Sequence, residues 1–289
     1  MSKSKATAIG FAAILLWALL ALFTAASGKV PPFQLAAMAF TIGTLIGVVG
    51  LSRRLDGLKI LRQPWQVWLL GIAGLFGYHF FYFTALRNAP PVEAGLIAYL
   101  WPLLIVFFSA LLPEEKLGWH HIAGAVLGLA GAGLIVTCGK GLELRAEFSF
   151  GYAMALVCAV IWSSYSVLSR RFQNVPSDVV TGFCAGTAIL AFFCHLLLEQ
   201  TVWPENAMQW LAVLGLGLGP VGLAFYVWDY GVKHGDIQVL GAASYAAPLL
   251  STLVLIGTGF ASFTWVIAIA CLLITGGAVL AAKDMLIQR

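Results

Sequence analysis

The chain has 289 residues, of which 61% are hydrophobic and only 10% charged, with a formal net charge of +4 and a mean hydropathy of +0.94. A soluble domain carries roughly 25% charged residues, so this chain cannot cover a water-facing surface. Its Lys and Arg residues sit in short connectors rather than on one face, which argues against a nucleic-acid partner.

In chain order, the apolar runs predict an all-α integral membrane protein with ten transmembrane helices, near 6–28, 33–52, 66–87, 92–112, 119–138, 150–170, 177–198, 208–232, 237–259 and 263–282. Each is close to the ~20 residues that cross a hydrocarbon core of roughly 30 Å as a helix. The first run could pass for a cleavable leader, with Lys3 and Lys5 before it and Ala25-Ala26-Ser27-Gly28 behind. It is longer than a leader core, and its Trp17 recurs as Trp162 in the second half, so it is expected to stay as the first span. The connectors carry turn residues such as Pro31-Pro32, Asn88-Ala89-Pro90-Pro91 and Pro204-Glu205-Asn206, and none is long enough for a soluble domain.

Orientation follows from the basic residues. With the N-terminus inside, Lys3, Lys5, Arg53, Arg54, Lys59, Arg62, Lys116, Arg170, Arg171, Lys233, Lys283 and Arg289 fall on the inner side, against Lys29, Arg87, Lys140 and Arg145 outside. That imbalance predicts both termini in the cytoplasm. Trp65, Trp68, Trp119, Trp203, Trp210 and Trp265 fall at span ends and read as an interfacial belt. Cys138, Cys158, Cys184, Cys194 and Cys271 lack Cys-x-x-Cys spacing or a histidine partner, so they read as small buried residues with no disulfide and no metal.

One stretch occurs twice. Tyr99-Leu100-Trp101-Pro102-Leu103-Leu104 returns 146 positions later as Tyr245-Ala246-Ala247-Pro248-Leu249-Leu250, and Phe81-Tyr82 upstream of the first has a counterpart in Phe225-Tyr226. Five spans per half is an odd number, so the halves, 1–140 and 150–289, enter the membrane in opposite senses as an inverted-topology repeat. Pro102 and Pro248 cannot donate to the residue four earlier, which predicts freed carbonyls at Ala98 and Ser244. Spans three and eight are expected to be glycine-broken as well, at Gly71, Gly74 and Gly77 and at Gly215, Gly217, Gly219, Pro220 and Gly222. Of these, Pro102, Pro248, Pro220, Gly77, Gly222, Ala98 and Ser244 are the expected breaks and gates. Paired breaks at membrane depth point to the substrate site of a transporter, although tight helix packing alone would also explain the glycines.

His79 is the deepest ionisable residue, and a mid-membrane histidine is a functional candidate unless a neighbouring backbone satisfies it. Tyr78 and Tyr82 are four apart and share a helical face. Trp17, Tyr99, Trp101, Trp162, Tyr226 and Tyr245 fall at the middle or inner half of their spans. Together these aromatics read as the lining of a cavity suited to stacking a ring and holding an ammonium group, with core packing as the plainer alternative for any one of them. Glu93 and Asp229 read as boundary residues, Arg87 with Glu93 as an outer-rim pair, and His195 as interfacial.

Ten spans, inverted five-span halves and the mid-span tryptophans resemble the drug/metabolite transporter superfamily, in particular its EamA-type ten-helix exporters. Gly77-Tyr78-His79-Phe80-Phe81-Tyr82 and Tyr99-Leu100-Trp101-Pro102 resemble the YddG-type aromatic amino acid exporters within it. The resemblance implies alternating access around a central cavity, export of amino acids from the cytoplasm, and a bacterial inner-membrane location. The residues themselves favour a neutral or zwitterionic solute, because no span carries a mid-depth carboxylate for a drug cation or a Lys or Arg for a phosphate. The expected substrate is therefore an aromatic or other bulky hydrophobic amino acid, with other small metabolites or drugs as the alternative. A lipid scramblase and a membrane-embedded enzyme are weaker readings, since no cluster of acids, bases or metal ligands lies at depth. No phosphate-binding loop occurs, so no ATP, cofactor or metal is expected. The partners are the solute and the lipid bilayer; the oligomeric state is left open and a monomer is compatible with the sequence.

Overall fold

A computed structural model of the protein describes residues 2–54, 57–113, 115–141, 144–257 and 262–284. Positions 258 and 259 of the expected ninth span, and Arg289, lie outside the described residues. Among the described residues, nine helices of 18 to 28 residues are long and apolar enough to cross a membrane, and a shorter apolar helix of 17 residues makes the tenth. In order they are α1 (Lys3–Ala26), α2 (Pro32–Ser52), α3 (Trp65–Asn88), α4 (Pro91–Ser109), α5 (Trp119–Val136), α6 (Ala146–Phe172), α7 (Ser177–Leu198), α8 (Ala207–His234), α9 (Ile237–Gly257) and α10 (Trp265–Ala281). The protein is an all-α integral membrane protein built as two inverted halves.

The ends of these helices obey local chemistry. Prolines open α2 and α4, where a missing N–H costs nothing, and Asn206, Asp236 and Thr264 cap α8, α9 and α10 with side-chain oxygens. The most extensive packing joins α5 to α10, α3 to α6, α2 to α7 and α1 to α8. Exchanging each helix for the one five places on maps this set of pairs onto itself, as a two-fold repeat requires. Three of the pairs close on glycines: a Cβ on Gly231 would lie 2.4 Å from the Gly10 Cα, one on Gly124 2.4 Å from the Gly277 carbonyl, and one on Gly151 2.6 Å from the Asn88 carbonyl. Backbones this close have no room for any other residue.

The breaks are only partly where the sequence places them. α4 is interrupted at Tyr99–Leu100 and α9 at Ser244–Tyr245, and both prolines then lie in the first turn of the following half-helix. The Ser244 carbonyl is not free, however; it accepts the Ala247 N–H at 3.1 Å, because the chain tightens to a three-residue turn there. α3 is one unbroken helix from Trp65 to Asn88, so Gly77 is not a break: a Cβ there would meet Ile161 at an ordinary 3.4 Å. Its counterpart α8 does break, into a π turn over Gly219–Leu223 that contains Pro220 and Gly222. A Cβ on Gly222 would sit 2.1 Å from the Gly217 carbonyl, so this turn closes only around glycine. α1 carries an interruption that the sequence did not predict, at Ala18–Leu19 directly after Trp17.

Trp65, Trp119, Trp203, Trp210 and Trp265 are exposed at helix ends, as a belt requires. Trp68 departs from it, packing edge-on against Phe183 with ring centroids 5.8 Å apart. Cys158 and Cys184 are buried, whereas Cys138 is exposed beyond the end of α5.

Candidate functional site

Four tryptophans meet at the centre, two from each half. Trp17, Trp101, Trp162 and Trp228 are mutually in contact, with all six ring-centroid distances between 5.0 and 6.3 Å. Three of them are tied by hydrogen bonds to neighbouring backbone or hydroxyls. Trp17 Nε1 donates to the Pro220 carbonyl in the π turn at 3.1 Å, and Trp228 Nε1 donates to Ser166 Oγ at 3.1 Å. The Ser163 hydroxyl lies 3.3 Å from the Trp101 carbonyl at the α4 break. Thus the breaks serve the cluster: α1, α4 and α8 are interrupted next to the residues they deliver to it.

Trp101, Trp162 and Trp228 are buried, but Trp17 is only half-buried, and so are Tyr78, His79, Tyr82 and Tyr99 beside it. Tyr78 contacts Trp162 at 5.5 Å and stacks on Tyr82 at 5.9 Å. Every residue of α3 from Phe76 to Thr84 is half-buried. In contrast, all of Ile237–Ala243 and most of Ala224–Lys233 are buried. Around the tryptophans, burial is therefore closer on the termini face, which is sealed, than on the face away from the termini. The tryptophans lie at the boundary between the two, as a floor under the half-buried residues.

Polar ties make the seal. Lys3 meets Glu115 at 3.7 Å and Asp236 at 3.1 Å, Arg170 bonds Glu115 and the carbonyls of Val232 and Gly235, and Arg54 meets Asp178 at 2.8 Å. These bridges join α1, the α4–α5 connector, the ends of α6 and α2, the start of α7 and the α8–α9 connector.

His79 Nδ1 is 2.7 Å from the Leu75 carbonyl, so one ring nitrogen is satisfied by its own helix while the ring packs edge-on against Phe40 at 5.0 Å. Two predicted lining residues lie elsewhere. Tyr245 is 0% exposed, and its hydroxyl accepts the Leu103 N–H at 3.1 Å. That N–H lies in the first turn of the second α4 segment, where no intrahelical acceptor exists, so Tyr245 stabilises the break rather than lining the cavity. Tyr226 donates to the Gly43 carbonyl on α2 at 3.0 Å and lies 3.2 Å from Thr181 Oγ1 on α7. The reason is register. Phe225-Tyr226 follows Phe81-Tyr82 by 144 positions, two short of the 146 that relate Tyr99 to Tyr245, and two residues turn a helix by ~200°. At the spacing of 146 the partners of His79 and Tyr82 are Phe225 and Trp228, both in the central cluster. Trp228, Phe225 and Phe40 were missed in the sequence; aligning the halves on Tyr99 and Tyr245 finds the first two.

The titratable groups near span ends also differ from expectation. Asp229 and Lys233 are buried, not boundary residues, and form an ion pair at 2.8 Å. His195 is buried and pairs with Glu199 at 3.1 Å. Arg87 meets Glu199 at 2.6 Å rather than Glu93, and Glu199 also accepts the N–H groups of Phe33 and Gln34 at the start of α2. His120, His121 and Asp284 bring one potential metal ligand each within 4.8 Å of one another. His121 Nδ1 accepts the Gly118 N–H at 3.1 Å, which in the neutral ring places the proton on Nε2 and withdraws both nitrogens from a ligand role. An apolar groove of about 1070 Å³ between α2, α7 and α8, lined by Met38, Ile42, Phe192 and Trp210 among others, lies apart from the cluster on the lipid side.

The model of the EamA-like transporter family matches the chain twice, over residues 4–137 and 149–282. An aromatic amino acid exporter, YddG, of Ancylobacter novellus is 58% identical over 282 residues, covering 97% of this chain and 98% of its own. Exporters of the same name from Salmonella typhimurium and Escherichia coli are 27% and 26% identical, each match covering 87% of this chain and 88% of the relative. A solved crystal structure of a protein 57% identical in sequence superposes with a TM-score of 0.93 over 98% of both chains.

Proposed function

The chain belongs to the EamA-like transporter family, and we propose that it exports aromatic and other bulky hydrophobic amino acids from the cytoplasm, by alternating access around the cavity above the tryptophan floor. The observation that carries this reading is the half-buried ring of Trp17, Tyr78, His79, Tyr82 and Tyr99 over Trp101, Trp162 and Trp228. A substrate ring stacked there gains on the order of 0.5–1.5 kcal/mol per aromatic contact beyond area burial. The tyrosine hydroxyls and the unengaged His79 nitrogen offer hydrogen bonds to the carboxylate, and the ring faces favour the ammonium. The name shared by the relatives in three bacteria supports the same substrate class, and the spanning helices and transporter family support an inner-membrane location. The basic residues support a cytoplasmic termini face. In this reading the halves 1–140 and 150–289 exchange shapes, and the structure is the outward-facing state.

The test is uptake by purified protein in liposomes. Phenylalanine and tryptophan should be carried well, leucine and methionine less well, and glutamate and lysine poorly. His79→Ala and Tyr82→Phe should raise KM without reducing the amount of folded protein. Equal rates for charged amino acids or quaternary cations would overturn the assignment.

A further inference from the structure

Directly beneath the tryptophan floor, on the sealed side, lies the buried pair Asp229–Lys233. Tyr165 connects the two layers: its ring is 5.2 Å from Trp162, and its hydroxyl lies 3.5 Å from Asp229 Oδ1. Ser177 Oγ donates to Asp229 Oδ2 at 2.6 Å, and Lys233 Nζ donates to the Val175 carbonyl at 3.1 Å. The pair borders a void of about 10 Å³, which Phe172 and Phe183 also line. That is room for about one water molecule. Desolvating two ions this completely is costly, and apolar residues of similar size would serve packing as well or better, so the pair calls for another use.

We propose that Asp229 and Lys233 form the loading site for the substrate on the termini face, collapsed in this structure; the inference rests on the export reading above. The chemistry is that of a zwitterion exchanging with an ion pair. When the face opens, the α-carboxylate of an amino acid takes Lys233 and its α-ammonium takes Asp229, while Phe172, Phe183 and Tyr165 receive the side chain. No net charge enters, and neither ion is left unpaired. An amine or an acid alone would strand one of the two. The cover is the segment Ser169–Val179, in which the 3₁₀ turns that end α6 and begin α7 flank Val175 and Pro176 of the short connector between them. Its release exposes both ions without unwinding the α-helical part of either span.

The experiment uses oriented proteoliposomes with labelled phenylalanine offered at the termini face, and phenethylamine or 3-phenylpropanoate as competitors. The double substitution Asp229→Asn with Lys233→Met removes both charges together and leaves no unpaired ion. We expect KM at that face to rise at least tenfold and the two competitors to match phenylalanine as inhibitors, while phenylalanine binding at the opposite face is unchanged by tryptophan fluorescence. A second variant keeps the pair intact. Ser177→Cys should react with an impermeant thiol reagent at the termini face, and phenylalanine, but neither competitor, should protect it. Unchanged KM and discrimination in the double variant, or equal protection by all three compounds, overturns the proposal. If the unmodified protein carries no phenylalanine, the export reading falls, and this one with it.

Discussion

Tyr245→Phe separates support of the helix break from substrate contact. The substitution keeps the ring and removes one oxygen, the acceptor of the Leu103 N–H at 3.1 Å. Pro102 has no N–H of its own, so Leu103 carries one of the few unmet donors at this end of α4. A buried donor left unsatisfied costs about 1–3 kcal/mol. At roughly 2–4 °C per kcal/mol, the midpoint for thermal unfolding in detergent should fall by on the order of 5 °C. Because Tyr245 is wholly buried behind α4, KM for phenylalanine should stay within about twofold, the size expected for a residue that makes no substrate contact. Tyr82→Phe should do the opposite, raising KM with little change in Tm, since Tyr82 is half-buried beside the open space. A Tyr245→Phe protein with unchanged Tm and a weakened KM would refute the assignment of this residue to the break.

Three further outcomes are expected. Pro102→Ala and Pro248→Ala each restore a helix N–H at a break, so transport should fall severalfold while folded yield holds or rises; full transport by the double variant would reduce both prolines to packing. Glu199→Gln replaces a carboxylate that meets Arg87, His195 and two N–H groups of α2 by an amide that must turn a donor towards one of them, and should cost about 2–3 kcal/mol, read as a lower Tm; no change in Tm would leave the hub without a structural role. In a background with Cys138 and the other four cysteines replaced, single cysteines at Arg54, Lys116 and Arg171 should be shielded from an impermeant reagent in intact cells and ones at Gly141 and Glu205 labelled, and the reverse pattern would invert the export direction.

The ten spans were legible because hydropathy and length alone decide them, and the breaks at Tyr99–Leu100 and Ser244–Tyr245 because proline leaves a helix no choice. The break in α1 was not, since nothing local between Trp17 and Leu20 opposes a helix; it arises where Trp17 turns to the Pro220 carbonyl of another half. Glycine misled at Gly77 because the residue permits a break without requiring one, and α3 has no proline to force it. Tyr226 and Tyr245 were read by depth, and depth does not give the face: a two-residue shift in register sent Tyr226 towards Gly43 and Thr181. Asp229 and Lys233 were read by their distance from a span end, but the connector that covers them folds back over the helix end, and only tertiary structure records that.

Arg87 and Lys233 are 146 positions apart, the same spacing as Tyr99 and Tyr245, and each sits in the last turn of its helix, at opposite faces of the bundle because the halves are inverted. Each binds a buried carboxylate, Glu199 or Asp229, and each braces the chain entering the second helix of a half, the guanidinium over Phe33 at 5.3 Å and the ammonium on the Val175 carbonyl. Their surroundings differ: the Arg87 side chain is 39% exposed and that of Lys233 only 3%. One device in two degrees of closure within a single molecule is what an exchange of shapes between inverted halves requires. Under the proposed cycle, the half-open setting of Arg87 is the one Lys233 takes when the termini face opens, and the sealed setting of Lys233 is the one Arg87 then takes. The choice of partner limits the symmetry. Asp229 shares a helix with Lys233, so this pair moves as one body and is uncovered intact, whereas Arg87 lies on α3 and Glu199 just past the end of α7, and these two can be drawn apart. The Asp229–Lys233 pair is therefore fit to meet a neutral zwitterion, and the Arg87–Glu199 pair to hold or release the far side of the bundle.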